Sequence, residues 1–179
     1  MIRYKKTETG QELKEILLLQ EQNHMGNITD AEKQQEGFVT VRHTLELLEK
    51  MHLSCPHTIA INEAGEVVGY ALSMTKDFSN NIEVLKPMFQ QIDQLVSTNA
   101  NYIVMGQVCI AKNYRKQGVF KGLYNHMKIF LESQFDMVIT EVDEANTRSM
   151  QAHEAVGFTS LKKFSSGGQD WNLIVWRWK

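Results

Sequence analysis

Cysteine and proline are scarce: the 179 residues contain two of each. Cys55 and Cys109 lie far apart and form no Cys-x-x-Cys pair. A disulfide framework and a zinc ribbon are therefore excluded, and a reducing, cytoplasmic location is expected. The six histidines are scattered without ligand spacing, so no metal is expected. No apolar run approaches the roughly 20 residues of a membrane span. The opening Met1-Ile2-Arg3-Tyr4-Lys5-Lys6 has no apolar core of signal-peptide length, so no membrane partner is expected. Neither sign of charge dominates, with 19 Lys and Arg against 21 Asp and Glu. A basic field for nucleic acid is thus absent, and no nucleic-acid partner is expected. The 42% hydrophobic content suits a globular core. With no repeat, linker or composition break, a single domain over residues 1–179 is the economical reading.

Hydrophobic spacing orders the chain. Strands are expected over 2–6, 57–62, 67–75, 102–111, 136–142, 158–164 and 171–178. Helices are expected over 8–22, 44–53, 80–96, 117–134 and 146–156. Pro87 should break or kink the third helix. The polar stretch 23–37 reads as a loop with a turn of helix at most. Gly65 and the Ser165-Ser166-Gly167-Gly168 run mark hairpin turns. The alternating residues of 171–178 are apolar on both faces. That strand belongs inside a sheet or at the subunit contact of a homodimer. The order implies an α/β (α+β) fold: a mixed, mainly antiparallel sheet of about seven strands flanked by helices, with one parallel crossover.

Two segments carry the chemistry. In the first, Val108-Cys109-Ile110-Ala111-Lys112-Asn113-Tyr114-Arg115-Lys116-Gln117-Gly118-Val119-Phe120-Lys121, an apolar strand passes through a basic turn into a helix. The first amides of a helix have no intrahelical acceptor and face the positive end of its dipole, which makes an anion site. Gly118 admits a bulky anion, and Arg115, Lys116 and Lys121 add charge. The natural guest is a phosphate or pyrophosphate. In the second segment, Val142 to Phe158, a strand leads to a helix start with Asn146 and Ser149, and His153 lies one turn further on the same face. The segment closes with Gly157-Phe158.

Together the two segments resemble the GNAT superfamily of acyl-CoA-dependent N-acyltransferases. That family has Arg or Gln, two residues, Gly, one residue, then Gly or Ala after a buried strand. An Asn at a later helix start, often a Tyr seven residues on, and a closing Gly-Phe follow. Arg115, Gly118, Asn146 and Gly157-Phe158 match. Phe120 stands where Gly or Ala is usual, and His153 stands where many members have Tyr.

The resemblance implies splayed central strands with acetyl-CoA, as co-substrate, in the gap. Backbone groups of Val108, Cys109 and Ile110 would hold its pantetheine arm. The turn from Arg115 through Lys116, Gln117, Gly118, Val119, Phe120 and Lys121 would hold its pyrophosphate. Asn146 and Ser149 would contact the arm. His153 would act as the acid and Glu141 as the base, with Asp143, Gln107, Glu36, His43 and water as alternatives. The acceptor would be a primary amine of a small molecule or peptide, attacking directly in a ternary complex. A non-catalytic acyl-CoA binder or sensor on the same fold is the competing reading. A nucleotide-binding α/β domain is disfavoured, because neither Gly-x-Gly-x-x-Gly nor a phosphate loop is present.

Overall fold

The computed structural model describes residues 1–29 and 38–179. Glu36 and part of the 23–37 loop lie outside the described residues. The seven strands form one sheet in the order β1 (Arg3–Lys6), β2 (Thr58–Ile61), β3 (Val67–Met74), β4 (Tyr102–Ile110), β5 (Met137–Asp143), β7 (Gln169–Arg177), β6 (Thr159–Ser166). Every neighbouring pair is antiparallel except β4 and β5, which are parallel. The mixed, mainly antiparallel sheet expected from the sequence is therefore present. β7 sits between β5 and β6, which accounts for its two apolar faces.

Among the described residues, the sheet is flanked by α1 (Gly10–Asn23), α2 (Leu45–Ser54), α3 (Lys86–Leu95), α4 (Val119–Leu131) and α5 (Thr147–Val156). α1 begins with a reciprocal cap: Thr9 Oγ1 accepts from the Glu12 amide, and Glu12 Oε2 accepts from the Thr9 amide at 3.0 Å. Thr44 caps α2 through the Leu47 amide. The helix expected over 80–96 is shorter than its apolar spacing suggested. Two 3-10 turns, Lys76–Asn80 and Glu83–Leu85, precede α3, and Pro87 lies in the first turn of α3. Pro87 thus starts a helix instead of kinking one, because its missing N–H would have had no acceptor there.

The side chains of the central strands alternate between two cores. Tyr70, Leu72 and Met74 of β3 pack with α1, α2 and α3, through Ile16, Leu48 and Met88 among others. Val68 and Ala71 face α4, whose Leu123, Tyr124 and Met127 are fully buried. Burial on both faces is what the continuous apolar runs required.

The ladder between β4 and β5 is short. It pairs Tyr102 with Met137, Ile103 with Val138 and Val104 with Ile139, and then stops. β4 continues to Ile110 and β5 to Asp143. The cause lies on the other side of β4. Ala71 pairs with Val108 but Ser73 pairs with Met105, so β4 carries an extra residue in a bulge. A bulge bends its strand and increases local twist. Gly106 lies in this bulge, where a Cβ would come 2.9 Å from Met74 Cε. At the crotch, Thr140 Oγ1 donates to the Met105 carbonyl at 2.8 Å. The central strands are splayed.

Three imidazoles, those of His43, His57 and His153, are buried without a charged partner among the described residues. Burial lowers His57 to about 3 and His43 and His153 to about 4. Each folded-state pKa lies below the ordinary 6.5, so the stability these groups confer is complete above pH 6.5 and is lost as pH falls toward 4. Glu141 acts oppositely: burial pushes it up to about 8, so stability increases as pH falls from 8 toward 4.5 and offsets one histidine. Each group contributes at most about 1.4 kcal/mol per pH unit. Urea midpoints measured at pH 7, 6 and 5 are expected to fall with pH. A flat or rising series would contradict the burial of neutral histidines.

Candidate functional site

The fork between β4 and β5 opens into two adjoining cavities. The first, of 280 Å³, is lined by the end of β4, the turn after it and the start of α5. Of the residues expected at a cofactor, Val108, Cys109, Ile110, Arg115, Lys116, Gly118, Val119, Phe120, Asn146 and Ser149 all line it. Gln117 and Lys121 do not. The Gln117 side chain turns back, its Nε2 donating to the Asn113 carbonyl at 2.8 Å, and Lys121 points off the exposed side of α4.

The turn is wound by left-handed residues. Gly118, at φ +80°, is the residue before α4 and has no atom within 4 Å of a would-be Cβ. Glycine is needed there for its backbone angle. Lys116 also has a positive φ of 61°. The first helical bond of α4 runs from Gly122 N to Gly118 O. The amides of Val119, Phe120 and Lys121 therefore have no acceptor within the helix. Arg115 is partly engaged by the protein: Nε donates to the Ile110 carbonyl at 3.1 Å and Nη2 to Asn23 Oδ1 at 2.5 Å. These bonds hold its guanidinium at the cavity wall and tie the turn to the end of α1. The Phe120 ring leans onto Tyr124 and His153, with centroids 5.1 and 5.0 Å away. It walls the cavity without filling it.

Asn146 is the N-cap of α5, with Oδ1 accepting from the Ser149 amide at 3.1 Å. No described residue pairs with its Nδ2. Cys109 is 7% exposed, and burial pushes its thiol up to about 12. It stays protonated and is no nucleophile.

The sequence did not reveal Asn23, Phe38, Val39, Tyr114, Arg148 or Ala152 as lining residues. For Ala152 a signal existed, since it lies three residues beyond Ser149 on one helix face, and Arg148 lies four residues before Ala152. The segment Phe38–Val41 gave none, because tertiary bonds place it. Val39 N donates to the Asn23 carbonyl at 3.2 Å, and Met25 N donates to the Val39 carbonyl at 2.9 Å. Gln107 Nε2 donates to the Val41 carbonyl at 2.8 Å, while Gln107 Oε1 accepts from the Tyr70 hydroxyl at 2.6 Å. Gln107 thus ties the segment Phe38–Val41 to β4 and β3 beside the fork.

The second cavity, of 140 Å³, holds Glu141, Asp143, Gln107 and His153. Glu141 shares the β5 face of Ile139, toward α3. No described residue pairs with its carboxyl, and burial pushes it up to about 8. Asp143 is occupied: it accepts from the Ala145 amide at 2.8 Å and from Gln169 Nε2 at 3.3 Å. His43 lies outside both linings and bonds Gln20 Oε1 through Nδ1 at 2.7 Å.

The expected acid role of His153 does not fit this geometry. Its ring is 1% exposed. Nδ1 lies 2.7 Å from the Ser149 carbonyl, which can only accept, so Nδ1 carries the proton. Nε2 then accepts from the Tyr124 hydroxyl at 2.7 Å. With both nitrogens engaged and the ring neutral at pH 7, His153 aims no proton into the cleft. It orients Tyr124 and buttresses Phe120. Tyr124→Phe leaves that buried nitrogen unpaired and is expected to lower stability by about 1–3 kcal/mol. Urea denaturation checks this, and an unchanged midpoint would contradict the assigned pairing.

A model of the acetyltransferase (GNAT) family matches residues 19–158. Solved structures similar to the chain include the NatC complex bound to Gag peptide and CoA, at 14% identity and a TM-score of 0.70, covering 99% of both chains. The ribosomal-protein-S18-alanine N-acetyltransferase of Escherichia coli is 11% identical with a TM-score of 0.66, covering 99% of this chain and 94% of that one. A GNAT superfamily phosphinothricin acetyltransferase of Sinorhizobium meliloti in complex with acetyl-CoA is 15% identical with a TM-score of 0.63, covering 98% and 88%. No curated protein matches the sequence significantly.

Proposed function

The chain belongs to the acetyltransferase (GNAT) family, and on that premise we propose that it transfers an acetyl group from acetyl-CoA to a primary amine by direct attack. The observation that carries this reading is the fork: unpaired β4 backbone leads straight to the left-handed turn and the open amides of α4. One end of that groove suits a diphosphate, and the other suits an amide-bearing arm laid along a strand edge. Solved relatives carry CoA or acetyl-CoA, which supports the choice of co-substrate.

Acetyl-CoA supplies an acyl group activated as a thioester. The chain's part is mostly positioning and removal of one proton. The amides from Lys116 to Lys121 and the Arg115 guanidinium hold the pyrophosphate. The β4 edge from Val108 to Ile110 holds the arm, with Asn146 Nδ2 as a further donor and Ser149 beside it. A β4 amide facing the gap polarises the carbonyl as charge develops on its oxygen. Glu141 takes a proton from the acceptor ammonium. Its raised pKa makes it a stronger base than an ordinary carboxylate once ionised. The C–N bond forms as the C–S bond breaks. The departing thiolate, with a thiol pKa near ~8.5, takes its proton from water in the cleft.

Isothermal titration with acetyl-CoA and a thiol-release assay with amines test this reading. Gly118→Glu is expected to weaken acetyl-CoA binding at least tenfold, through strain and like-charge repulsion. Unchanged affinity would contradict the pyrophosphate placement. Asn146→Ala is expected to raise the acetyl-CoA KM several-fold, as loss of one buried hydrogen bond costs about 1–3 kcal/mol. In the wild type, kcat should climb with pH through about 8 as Glu141 loses its proton. Glu141→Gln should lower kcat at least tenfold and abolish that limb. A retained limb would remove Glu141 from the base role.

A further inference from the structure

The cavity around Glu141 is one-sided in its chemistry. One wall is apolar, formed by Val41, Val84, Leu85, Met88, Met105 and Trp171, and the rest of the lining is mostly uncharged polar groups such as Thr40, Gln107 and Thr140. Neither Lys nor Arg stands among its described lining residues. Of its two acids, Asp143 is held by Ala145 and Gln169, which leaves the Glu141 carboxyl without a partner among the described residues. His153 contributes no positive charge, since both its nitrogens are engaged.

We infer that the acceptor is a primary amine on an apolar body that carries no acidic group and no second cationic centre. The inference rests on the acetyl-transfer reading above. An amino acid would bring its carboxylate beside Glu141 and Asp143, with neither Lys nor Arg among the described lining residues to receive it, and an unpaired charge is expensive to desolvate. A polyamine would bring several cations, and one carboxyl among the described lining residues is unpaired to receive them. A single ammonium matches Glu141, and an apolar substituent gains by displacing water from the walls. A free small amine and the amino end of a peptide with an apolar first side chain share this chemistry.

Thiol release at saturating acetyl-CoA tests it with leucinamide, leucine, glycinamide, spermidine and a Leu-Gly-Gly peptide amide. Leucinamide differs from leucine by the acid group and from glycinamide by the apolar body. Compared per unprotonated amine, its kcat/KM is expected to exceed each by at least tenfold, and to exceed that of spermidine. If the peptide amide outpaces leucinamide, the source is a chain end; if it is slower, the source is a small amine. Either pattern supports the shared chemistry. Leucine matching leucinamide, or spermidine being preferred, overturns the inference and leaves acetyl transfer standing. Acetyl-CoA binding without thiol release from any amine overturns the transfer reading itself. Val84, at the rim, is 58% exposed, so Val84→Lys should fold normally and place a cation at the chamber. It is expected to narrow the leucinamide-to-leucine ratio at least threefold. An unchanged ratio would mean that the acceptor body lies elsewhere.

Discussion

The break in the β4–β5 ladder is the constraint on which the rest depends. Three parallel pairs lock the strands together at one end, and the bulge at Gly106 and Gln107 turns β4 away at the other. A parallel ladder left unzipped would normally fill with water or another strand. Here Thr140 closes the crotch and Gln107 ties the segment Phe38–Val41 to β4 beside it. The gap becomes a bounded groove with backbone donors and acceptors along one wall.

The two cavities inherit different chemistry from the two sides of that groove. The β4 side leads into a turn wound by Lys116 and Gly118 and then into the positive end of a helix. The β5 side presents Glu141 on a strand face that otherwise packs apolar groups. An anion site and a buried carboxyl therefore lie on opposite flanks of one fork. Asn146 and Ser149 line both cavities, so the start of α5 is where the two meet.

Much of the architecture was legible in the sequence because it rests on local pattern. Alternation and continuous apolar runs located the strands, and Gly157 closed the last helix. The anion turn was also legible, since strand, basic turn, Gly118 and helix are contiguous. What could not be read depends on register or on contacts distant in sequence. The bulge exists only relative to β3. The partner of His153 is Tyr124, 29 residues away, so an imidazole that looked like an acid proved to be a buried acceptor. Pro87 was expected to break or kink the helix, and the stretch is indeed broken, but nothing local showed that 3-10 turns precede it and that it sits in the first turn of α3. The Phe38–Val41 wall is set by bonds to Asn23, Met25 and Gln107, none of which leaves a mark on its own residues.

The central claim is that the open edge of β4 and the amides of the turn bind one extended ligand together. Amide hydrogen exchange with and without acetyl-CoA measures this directly. Added protection confined to residues 106–110 and 116–121, together with the start of α5, is the predicted result. Protection that appears elsewhere, or that leaves the β4 edge unchanged while acetyl-CoA binds, would contradict it.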